Sequence, residues 1–340
     1  MKIADIEIKN GICLAPLAGV SDRTFRAMAR RFGAEYTVSE MVSAKALRYE
    51  QLCKKPITVE RTKTAPLAAV LAEELPMAVQ LFGAEPEFVA RAAALLESND
   101  YRGTISEVPP SVIDINMGCP MAKIVGNGDG CALMKNVDLA ASIVAAVAGA
   151  VPVPVTVKCR LGWDKGSINV LDLARAVEDA GAAALSVHGR TRTMLYSGVA
   201  DWDTIAKVKD RLSIPVIANG DIMSGEAAVQ CLRRSHADGL MVGRAAFGDP
   251  WIFREIDDAL SGREIAPRPP LCQRVDTAVR QLELAREDKG EHIACLEARK
   301  HFAWYLRGVP YSGFYKDQIS HIGTMEDIYR IAKEIKRDLK

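Results

Sequence analysis

The segment Ile113-Asp114-Ile115-Asn116-Met117-Gly118-Cys119-Pro120 decides the fold class of this 340-residue chain. Apolar and polar residues alternate through its first half, which predicts a β-strand that runs directly into a turn. Gly118 and Pro120 restrict the backbone on both sides of Cys119. The thiol is therefore expected at the carboxyl end of a strand, where α/β proteins carry their reactive groups.

The rest of the chain repeats this pattern, because apolar β-branched runs alternate with helical patterns. The predicted strands are Gly11–Ala15, Tyr36–Ser39, Met77–Leu81, Val112–Asn116, Val153–Cys159, Ala184–His188, Pro215–Ala218 and Gly239–Val242. The predicted helices are Asp22–Phe32, Ala44–Glu50, Pro86–Glu97, Val137–Ala148, Ile168–Ala180, Asp203–Arg211, Ser224–Arg233 and Asp249–Leu260. Eight such units in about 250 residues predict a (β/α)8 TIM barrel. A doubly wound sheet is the alternative, but no G-x-G-x-x-G follows the first strand.

The composition changes after Leu260. Residues 261–270 contain glycine and several prolines, which is typical of a linker. Beyond them the sequence has amphipathic helical patterns without strand patterns, at Cys272–Asp288, His292–Arg307 and Met325–Leu339. We therefore predict a catalytic barrel over residues 1–260 and a C-terminal all-α domain over residues 261–340.

Composition excludes several classes of protein. The formal net charge of +1 gives no sign of a nucleic-acid partner for the chain as a whole, so such a partner needs a local basic patch. The eight cysteines include no CxxC pair and no zinc-like spacing with histidine, so we expect no metal and reduced thiols, as in the cytoplasm. The most apolar stretch, Leu139–Pro152, is shorter than the ~20 residues that span a bilayer. We expect a cytoplasmic monomer without membrane contact.

Polar residues recur where the predicted strands end, and these ends meet at one mouth of a barrel. They are Gln80 after strand three, Asn116 and Cys119 after strand four, Lys158 and Arg160 after strand five, His188 and Arg190 after strand six, Asn219, Gly220 and Asp221 after strand seven, and Gly243 and Arg244 after strand eight. The last two loops offer backbone N–H groups and a guanidinium where barrels bind phosphate. A phosphorylated ligand is therefore expected.

Three of these residues suit a planar ring, although each has another interpretation. Lys158 could stabilise negative charge on a flavin, or it could form a Schiff base as in barrel aldolases. Gln80 can both donate to and accept from a pyrimidine-like ring edge. His188 could hold a phosphate, transfer a proton or be an ordinary core histidine.

Seven short motifs together resemble the tRNA-dihydrouridine synthase family, and most of all its bacterial B-type branch. They are LAPLAGVSD at 14–22, VQLFG at 79–83, DINMGCP at 114–120, VKCRLGW at 157–163, VHGRT at 187–191, IANGDI at 217–222 and VGR at 242–244. The tail segment at 297–308 is also similar to the family. The segment at 126–130 departs from the family's pattern, because an acid and three glycines make it more flexible and less cationic than in relatives.

The resemblance implies an FMN-bound barrel fused to a helical tRNA-recognition domain. NADPH would reduce the flavin, hydride would pass from flavin N5 to C6 of a uracil, and Cys119 would protonate C5. The residues implied to hold FMN are Pro16, Leu17, Ala18, Gln80, Lys158, His188, Asn219, Gly220, Asp221, Gly243 and Arg244. Those implied to bind the tRNA substrate are Asn116, Arg160 and Arg190 in the barrel and Arg299, Lys300 and Arg307 in the tail.

Two other functions stay open on the sequence. The chain could be an FMN-dependent reductase of a free pyrimidine, although a small base needs no helical platform. It could also be a non-catalytic factor that grips tRNA with the same two domains. The sequence does not identify which tRNA uridine is the target.

Overall fold

The computed structural model describes residues 1–52, 64–99 and 106–339, so Cys53 lies outside the described residues. Within them a closed barrel of eight parallel strands surrounds a central axis. In chain order its strands are β1 Ile12–Leu14, β2 Tyr36–Ser43, β3 Met77–Phe82, β4 Val112–Met117, β5 Val155–Arg160, β6 Ala184–His188, β7 Val216–Asn219 and β8 Gly239–Val242. Because β8 pairs with β1, the sheet has no edge, and the predicted TIM barrel is confirmed over the doubly wound alternative.

One longer helix accompanies each strand. These helices are α1 Arg23–Arg31, α2 Ala44–Leu52, α3 Pro86–Glu97, α4 Val137–Ala148, α5 Val170–Asp179, α6 Trp202–Lys209, α7 Gly225–Ser235 and α8 Ile252–Leu260. Side-chain caps fix where several of them begin. The carboxylate of Asp22 accepts from the N–H of Phe25 at α1, and the hydroxyl of Ser224 accepts from Ala227 at α7.

The barrel interior changes from apolar to polar along each strand. Near the amino ends the inward side chains include Ala78 and Val112, and a small N-terminal hairpin of Lys2–Ile3 and Ile6–Glu7 closes this end. Two residues further along, the inward side chains are polar. They are Gln80 on β3 and Asp114 on β4, which pair with each other in the register of the two strands. Since strand side chains alternate with a period of two, this arrangement delivers polar groups to the carboxyl ends while the outward residues pack on helices.

The tail is helical and has its own apolar core. Its helices are α9 Leu271–Lys289, α10 Glu291–Tyr305, α11 Gly313–Ser320 and α12 Met325–Asp338. Buried side chains such as Leu282, Phe302 and Ile328 form a cluster separate from the barrel core. Three of the four helices were expected, whereas α11 is short and follows the turn-rich run 308–313. The domain boundary at residue 260 stays a prediction.

The tail packs on the carboxyl-terminal side of the barrel. The Trp304 ring of α10 stacks on Phe247, which follows β8, with 4.3 Å between ring centres and 12° between planes. A Cβ atom added at Gly248 would lie 2.2 Å from the carbonyl carbon of Trp304, so only glycine allows this close approach. The ammonium of Lys300 donates to the carbonyl oxygen of Gly19 in the loop after β1. The tail is therefore in contact with loops that surround the mouth.

Two further features concern the described residues alone. None of the helices in residues 1–52, 64–99 and 106–339 is both long and apolar enough to cross a lipid bilayer. The cysteines in these ranges are free thiols, and most of them are buried. Cys272 is exposed, whereas Cys119 is half-buried.

Candidate active site

One cavity of about 500 Å³ opens at the carboxyl ends of the strands, and residues from all eight strand ends line it. Every barrel residue that the sequence singled out lines this cavity except Arg190. They are Pro16, Leu17, Ala18, Gln80, Asn116, Cys119, Lys158, Arg160, His188, Asn219, Gly220, Asp221, Gly243 and Arg244. The structure therefore brings together residues that are up to 228 positions apart, as Pro16 and Arg244 show.

A buried chain of hydrogen bonds runs from the barrel interior to the cysteine turn. Asp114 accepts from the Thr156 hydroxyl at 2.6 Å and from Gln80 Nε2 at 2.7 Å. Gln80 Oε1 in turn accepts from Asn116 Nδ2 at 2.7 Å. Asn116 Oδ1 then accepts from the backbone N–H of Cys119 at 2.9 Å. Each amide in this chain has one defined orientation, because the carboxylate at its buried end can only accept.

Close backbone contacts hold Cys119 in place. A Cβ atom at Gly130 would lie 2.9 Å from the Cys119 carbonyl oxygen and 3.1 Å from its Cβ, so the 3-10 turn Gly130–Lys135 packs directly beside the cysteine. The Cys131 N–H donates to the same carbonyl oxygen at 3.1 Å. The segment at 126–130, expected to be flexible, is thus hydrogen-bonded and folded against Cys119.

The surroundings of the Cys119 thiol favour its protonated form. Burial raises its pKa above the ordinary value, and the N–H of Met121 and the nearby Arg160 and Lys158 cations oppose this shift. A raised pKa keeps the thiol protonated at neutral pH. Cys119 is therefore suited to donate a proton rather than to attack as a thiolate.

Lys158 places an ammonium in the cavity wall. Its Nζ donates to Asn219 Oδ1 at 3.1 Å, and Asn219 is itself fixed by a 2.6 Å hydrogen bond from its Nδ2 to the Met241 carbonyl. Burial, and after it the nearby Arg160 cation, lower the pKa of Lys158 to about 8. No carboxylate in the described part of the chain lies within ion-pair distance of Lys158, so a partially negative ligand atom would be stabilised beside it.

Arg190 departs from its predicted place. Its side chain is buried outside the cavity lining, and its Nη2 pairs with Asp221 at 2.7 Å and donates to the Gly198 carbonyl at 2.7 Å. Its Nε donates to the Ser197 carbonyl at 3.0 Å. These contacts occupy the guanidinium, so this geometry does not put Arg190 in contact with a substrate. The side chain instead fixes Asp221 and the loop after β6.

The ends of β7 and β8 form a concave backbone surface. Gly220 has φ +116°, and a Cβ atom there would lie 2.8 Å from the His188 ring, so glycine is required. The N–H groups of residues 221–223 and 243 have no acceptor among the described residues. Arg244 lies 3.6 Å from Asp221 and keeps much of its side chain exposed. Burial and the surrounding cations hold the pKa of His188 well below its usual range, so its ring is neutral.

Sequence reasoning missed Tyr196, which also lines the cavity. The guanidinium carbon of Arg244 lies 4.5 Å from the centre of its ring, and that of Arg160 lies 5.8 Å away. Tyr196 stands in a long loop, eight residues after the end of β6. The sequence could have indicated Tyr196 as an aromatic residue in a loop that follows a strand at the mouth. Because the loop is long, the position of such a side chain cannot be predicted from the sequence.

The tail cations lie in different environments. Lys300 contacts Gly19, and its Nζ lies 5.9 Å from the centre of the Trp304 ring. Arg299 is exposed, although its Nε donates to the Ile322 carbonyl at 3.0 Å. Arg307 is exposed on the same part of the tail. The three residues therefore do not form one free basic face, because Lys300 is engaged with the barrel.

Comparison with known proteins agrees with this geometry. The family model described as "Dihydrouridine synthase (Dus)" matches residues 13–339. A "Probable tRNA-dihydrouridine synthase" of Rickettsia conorii is 40% identical over 94% of this chain and 91% of that protein. The "tRNA-dihydrouridine synthase B" of Pseudomonas aeruginosa is 39% identical over 95% of this chain and 91% of that protein.

Solved structures are similar in fold at low sequence identity. Histamine dehydrogenase from Rhizobium sp. 4-9 has a TM-score of 0.54 at 12% identity, covering 83% of this chain and 50% of that one. A morphinone reductase variant in complex with tetrahydroNAD has a TM-score of 0.51 at 13% identity, covering 79% of this chain and 92% of that one. At these identities the similarity concerns the barrel fold alone.

Proposed function

The chain belongs to the dihydrouridine synthase family, and we propose that it reduces the C5–C6 bond of uridines in tRNA to give dihydrouridine. We further propose that FMN is its cofactor and NADPH its electron donor. We also propose that it acts in the cytoplasm as a monomer. One observation carries the proposal: a protonated thiol, a buried lysine and two oriented amides line the same cavity as a concave backbone surface. This set matches the needs of a planar redox ring, a phosphate and a proton donor at once.

The residues present fit FMN at both ends. The unpaired N–H groups after β7 and β8, with Arg244, suit the phosphate. Lys158 suits the electron-rich edge of the ring, where negative charge collects on reduction. Gln80 retains one amide hydrogen and one lone pair for a ring edge after its bonds to Asp114 and Asn116. Pro16, Leu17 and Ala18 supply the apolar wall beside the ring.

When bound, FMN supplies the hydride that C6 of the uracil receives, after NADPH has reduced it. In this proposal Cys119 protonates C5, since its thiol is protonated at neutral pH and needs no partner to become so. Donating the proton produces a thiolate, which the nearby Lys158 and Arg160 cations stabilise.

The uracil contacts proposed for Asn116 and Arg160 use the donors that the fold leaves free. Arg160 donates through Nε to the Gly118 carbonyl and through Nη1 to the carbonyls of Thr191 and Leu195. Its Nη2 has no acceptor among the described residues. The second Nδ2 hydrogen of Asn116 has only a weak acceptor, the Met41 sulfur at 3.9 Å, which a uracil oxygen would replace. Both side chains also hold the Cys119 turn, so they would position the acid and the base together.

Residues 261–340 would recognise the tRNA in this proposal. A uracil can reach the cavity only after leaving its stack, which costs a few kcal/mol. Exposed Arg299 and Arg307 could contribute phosphate contacts that help offset this cost, whereas Lys300 contributes by holding the loop after β1. Arg190 is proposed as a positioning residue for Asp221 rather than as a substrate contact.

The test begins with the purified protein. We expect a flavin absorbance spectrum, NADPH oxidation, and formation of dihydrouridine in tRNA from a strain that lacks the enzyme. Cys119→Ala should keep its flavin and lose about 10²–10⁴-fold in turnover, the usual contribution of a general acid. Cys272→Ser is the matched control, because this thiol is exposed and lies in the tail.

The outcomes separate the other functions. A protein that cannot be loaded with FMN would overturn the proposal. Reduction of free uracil without tRNA would indicate a free-pyrimidine reductase. Tight tRNA binding by a flavin-loaded wild type that makes no dihydrouridine would indicate a non-catalytic factor.

A further inference from the structure

Two cations lie against the ring of Trp163, which stands in the loop after β5 near the cavity. Lys135 Nζ lies 3.4 Å from the centre of its ring, and the Arg192 guanidinium carbon lies 4.6 Å from it. The backbone joins the two loops, because the N–H of Thr193 donates to the Trp163 carbonyl at 3.0 Å. Both cations are thus fixed in position by an aromatic ring rather than by an acid.

Arg192 also touches the turn that carries the cysteine. Its Nε donates to the carbonyl oxygen of Pro120 at 3.2 Å, one residue after Cys119. Within residues 1–52, 64–99 and 106–339, neither Arg192 nor Lys135 has a carboxylate within ion-pair distance. Some other cations are paired, as Lys45 is with Glu85 at 2.6 Å. The two unpaired charges therefore create a local positive potential beside the mouth.

Exposed apolar side chains lie beside these cations. Met121 is 61% exposed and follows Pro120, while Leu195 and Tyr196 are 46% and 51% exposed in the loop after β6. Tyr196 also lines the cavity, so this apolar surface continues from the rim into it. Aromatic and apolar side chains next to unpaired cations are the combination with which proteins bind single-stranded RNA.

We propose that this rim, formed by Met121, Lys135, Trp163, Arg192, Leu195 and Tyr196, binds the single-stranded nucleotides that flank the target uridine. Arg192 and Lys135 contact their phosphates, and Met121, Leu195 and Tyr196 contact their bases. The inference rests on the proposed function, and it adds a subsite that lies on the barrel rather than on the tail. A base that enters the cavity brings its neighbours to the rim, which makes a nucleotide strand the occupant that fits.

The test uses the full-length protein loaded with its flavin and an unmodified tRNA transcript. Dissociation constants are measured by filter binding over a range of salt concentrations, together with KM and kcat for tRNA. Arg192→Ala and Lys135→Glu should each raise the dissociation constant about tenfold or more. Removal of one phosphate contact should also lower the slope of log K against log salt by about 0.7–0.9. KM should rise more than kcat falls.

One control variant and the choice of test variants keep the result interpretable. Arg211→Ala removes an exposed cation at the opposite end of the barrel, after α6, and should change none of these quantities. Lys135 has no hydrogen bond to the cysteine turn among the described residues, so Lys135→Glu tests the charge without moving Cys119. Circular dichroism and thermal unfolding check that each variant is folded.

The inference is overturned if both rim variants bind tRNA with the affinity and salt slope of Arg211→Ala. That result would leave the rim to another partner, such as an acidic protein. A wild type that binds tRNA at the rim but forms no dihydrouridine would instead overturn the proposed function and leave this subsite standing.

Discussion

Asp114 directs the hydrogen-bond chain that ends at the cysteine turn, although it lies beneath the cavity and does not line it. Its carboxylate accepts from Gln80, which leaves the Gln80 oxygen to accept from Asn116. The Asn116 oxygen is then directed at the Cys119 N–H. Burial raises the pKa of Asp114, while its hydrogen bonds from Thr156 and Gln80 favour the ionised form.

An asparagine at position 114 could reverse the direction of these hydrogen bonds, because it has nearly the same shape as aspartate. We predict that Asp114→Asn lowers turnover on tRNA by about 10–100-fold, equivalent to ~1–3 kcal/mol for a mispaired buried amide. The new amide can donate to Gln80, and a reversed Gln80 would turn the Asn116 carbonyl away from Cys119. Steady-state kinetics with dihydrouridine as the product measures the effect. Asp172→Asn, an exposed position on α5, is the control, and equal turnover in both variants would contradict the relay.

The pKa of Lys158 in the cofactor-free protein predicts that FMN binding depends on pH. Its pKa of about 8 means that the ammonium is present at neutral pH and is lost as the pH rises through that value. FMN affinity should therefore fall between about pH 7 and 9. Fluorescence quenching of FMN measures this, and Lys158→Met should bind weakly with no such pH dependence. A flat profile in the wild type would show that the charge of Lys158 does not assist binding.

At the scale of elements, Gly220 controls the shape of the concave backbone surface after β7, where we propose that the FMN phosphate binds. Gly220→Ala puts a Cβ atom against the His188 ring in a backbone conformation that favours glycine. We predict a loss of about 1–3 kcal/mol in the free energy of unfolding and a clear loss of FMN affinity. Thermal unfolding and flavin titration measure these effects. Gly313→Ala is the matched control, because nothing lies within 4 Å of the added atom; similar losses in both variants would contradict the prediction.

The strands were predictable because their chemistry is local. Alternation and β-branching predicted β6 and β8 with their observed bounds, and the helical patterns between the strands predicted α3 and α4. The polar residues at the strand ends followed from the strand count, since parallel strands of a barrel share one mouth. The N-terminal hairpin was not predictable, because its strands are two residues long.

Arg190 and Lys300 make contacts that the sequence did not predict, because these contacts join separate elements. The ion pair between Arg190 and Asp221 joins two loops, and the two residues are 31 positions apart in the chain. No pattern in the sequence of either loop predicts this ion pair. Lys300 has helical spacing with Trp304 and Arg307, but this spacing indicates no contact with the barrel. Its contact with Gly19 exists only because the tail packs on the barrel. Such pairings are set by tertiary packing and not by periodicity.

For the whole molecule, the tail supports the cavity wall. Phe247 lines the cavity on one side and stacks on Trp304 of the tail on the other. Lys300 holds the carbonyl of Gly19 while Glu40 accepts from the N–H of the same residue, so the loop after β1 is fixed from the barrel and from the tail. The shape of the cavity wall therefore depends on residues that do not line the cavity.

This dependence gives a prediction about Trp304, which is outside the cavity lining. Trp304→Ala removes the ring against which Phe247 packs, and a stacked aromatic pair contributes about 0.5–1.5 kcal/mol beyond its buried area. FMN affinity should fall by up to about tenfold and the melting temperature should drop. Tyr311→Ala is the control, because that ring is 91% exposed in the same tail. If Trp304→Ala binds FMN as the wild type does while melting earlier, the tail stabilises the fold without shaping the cavity.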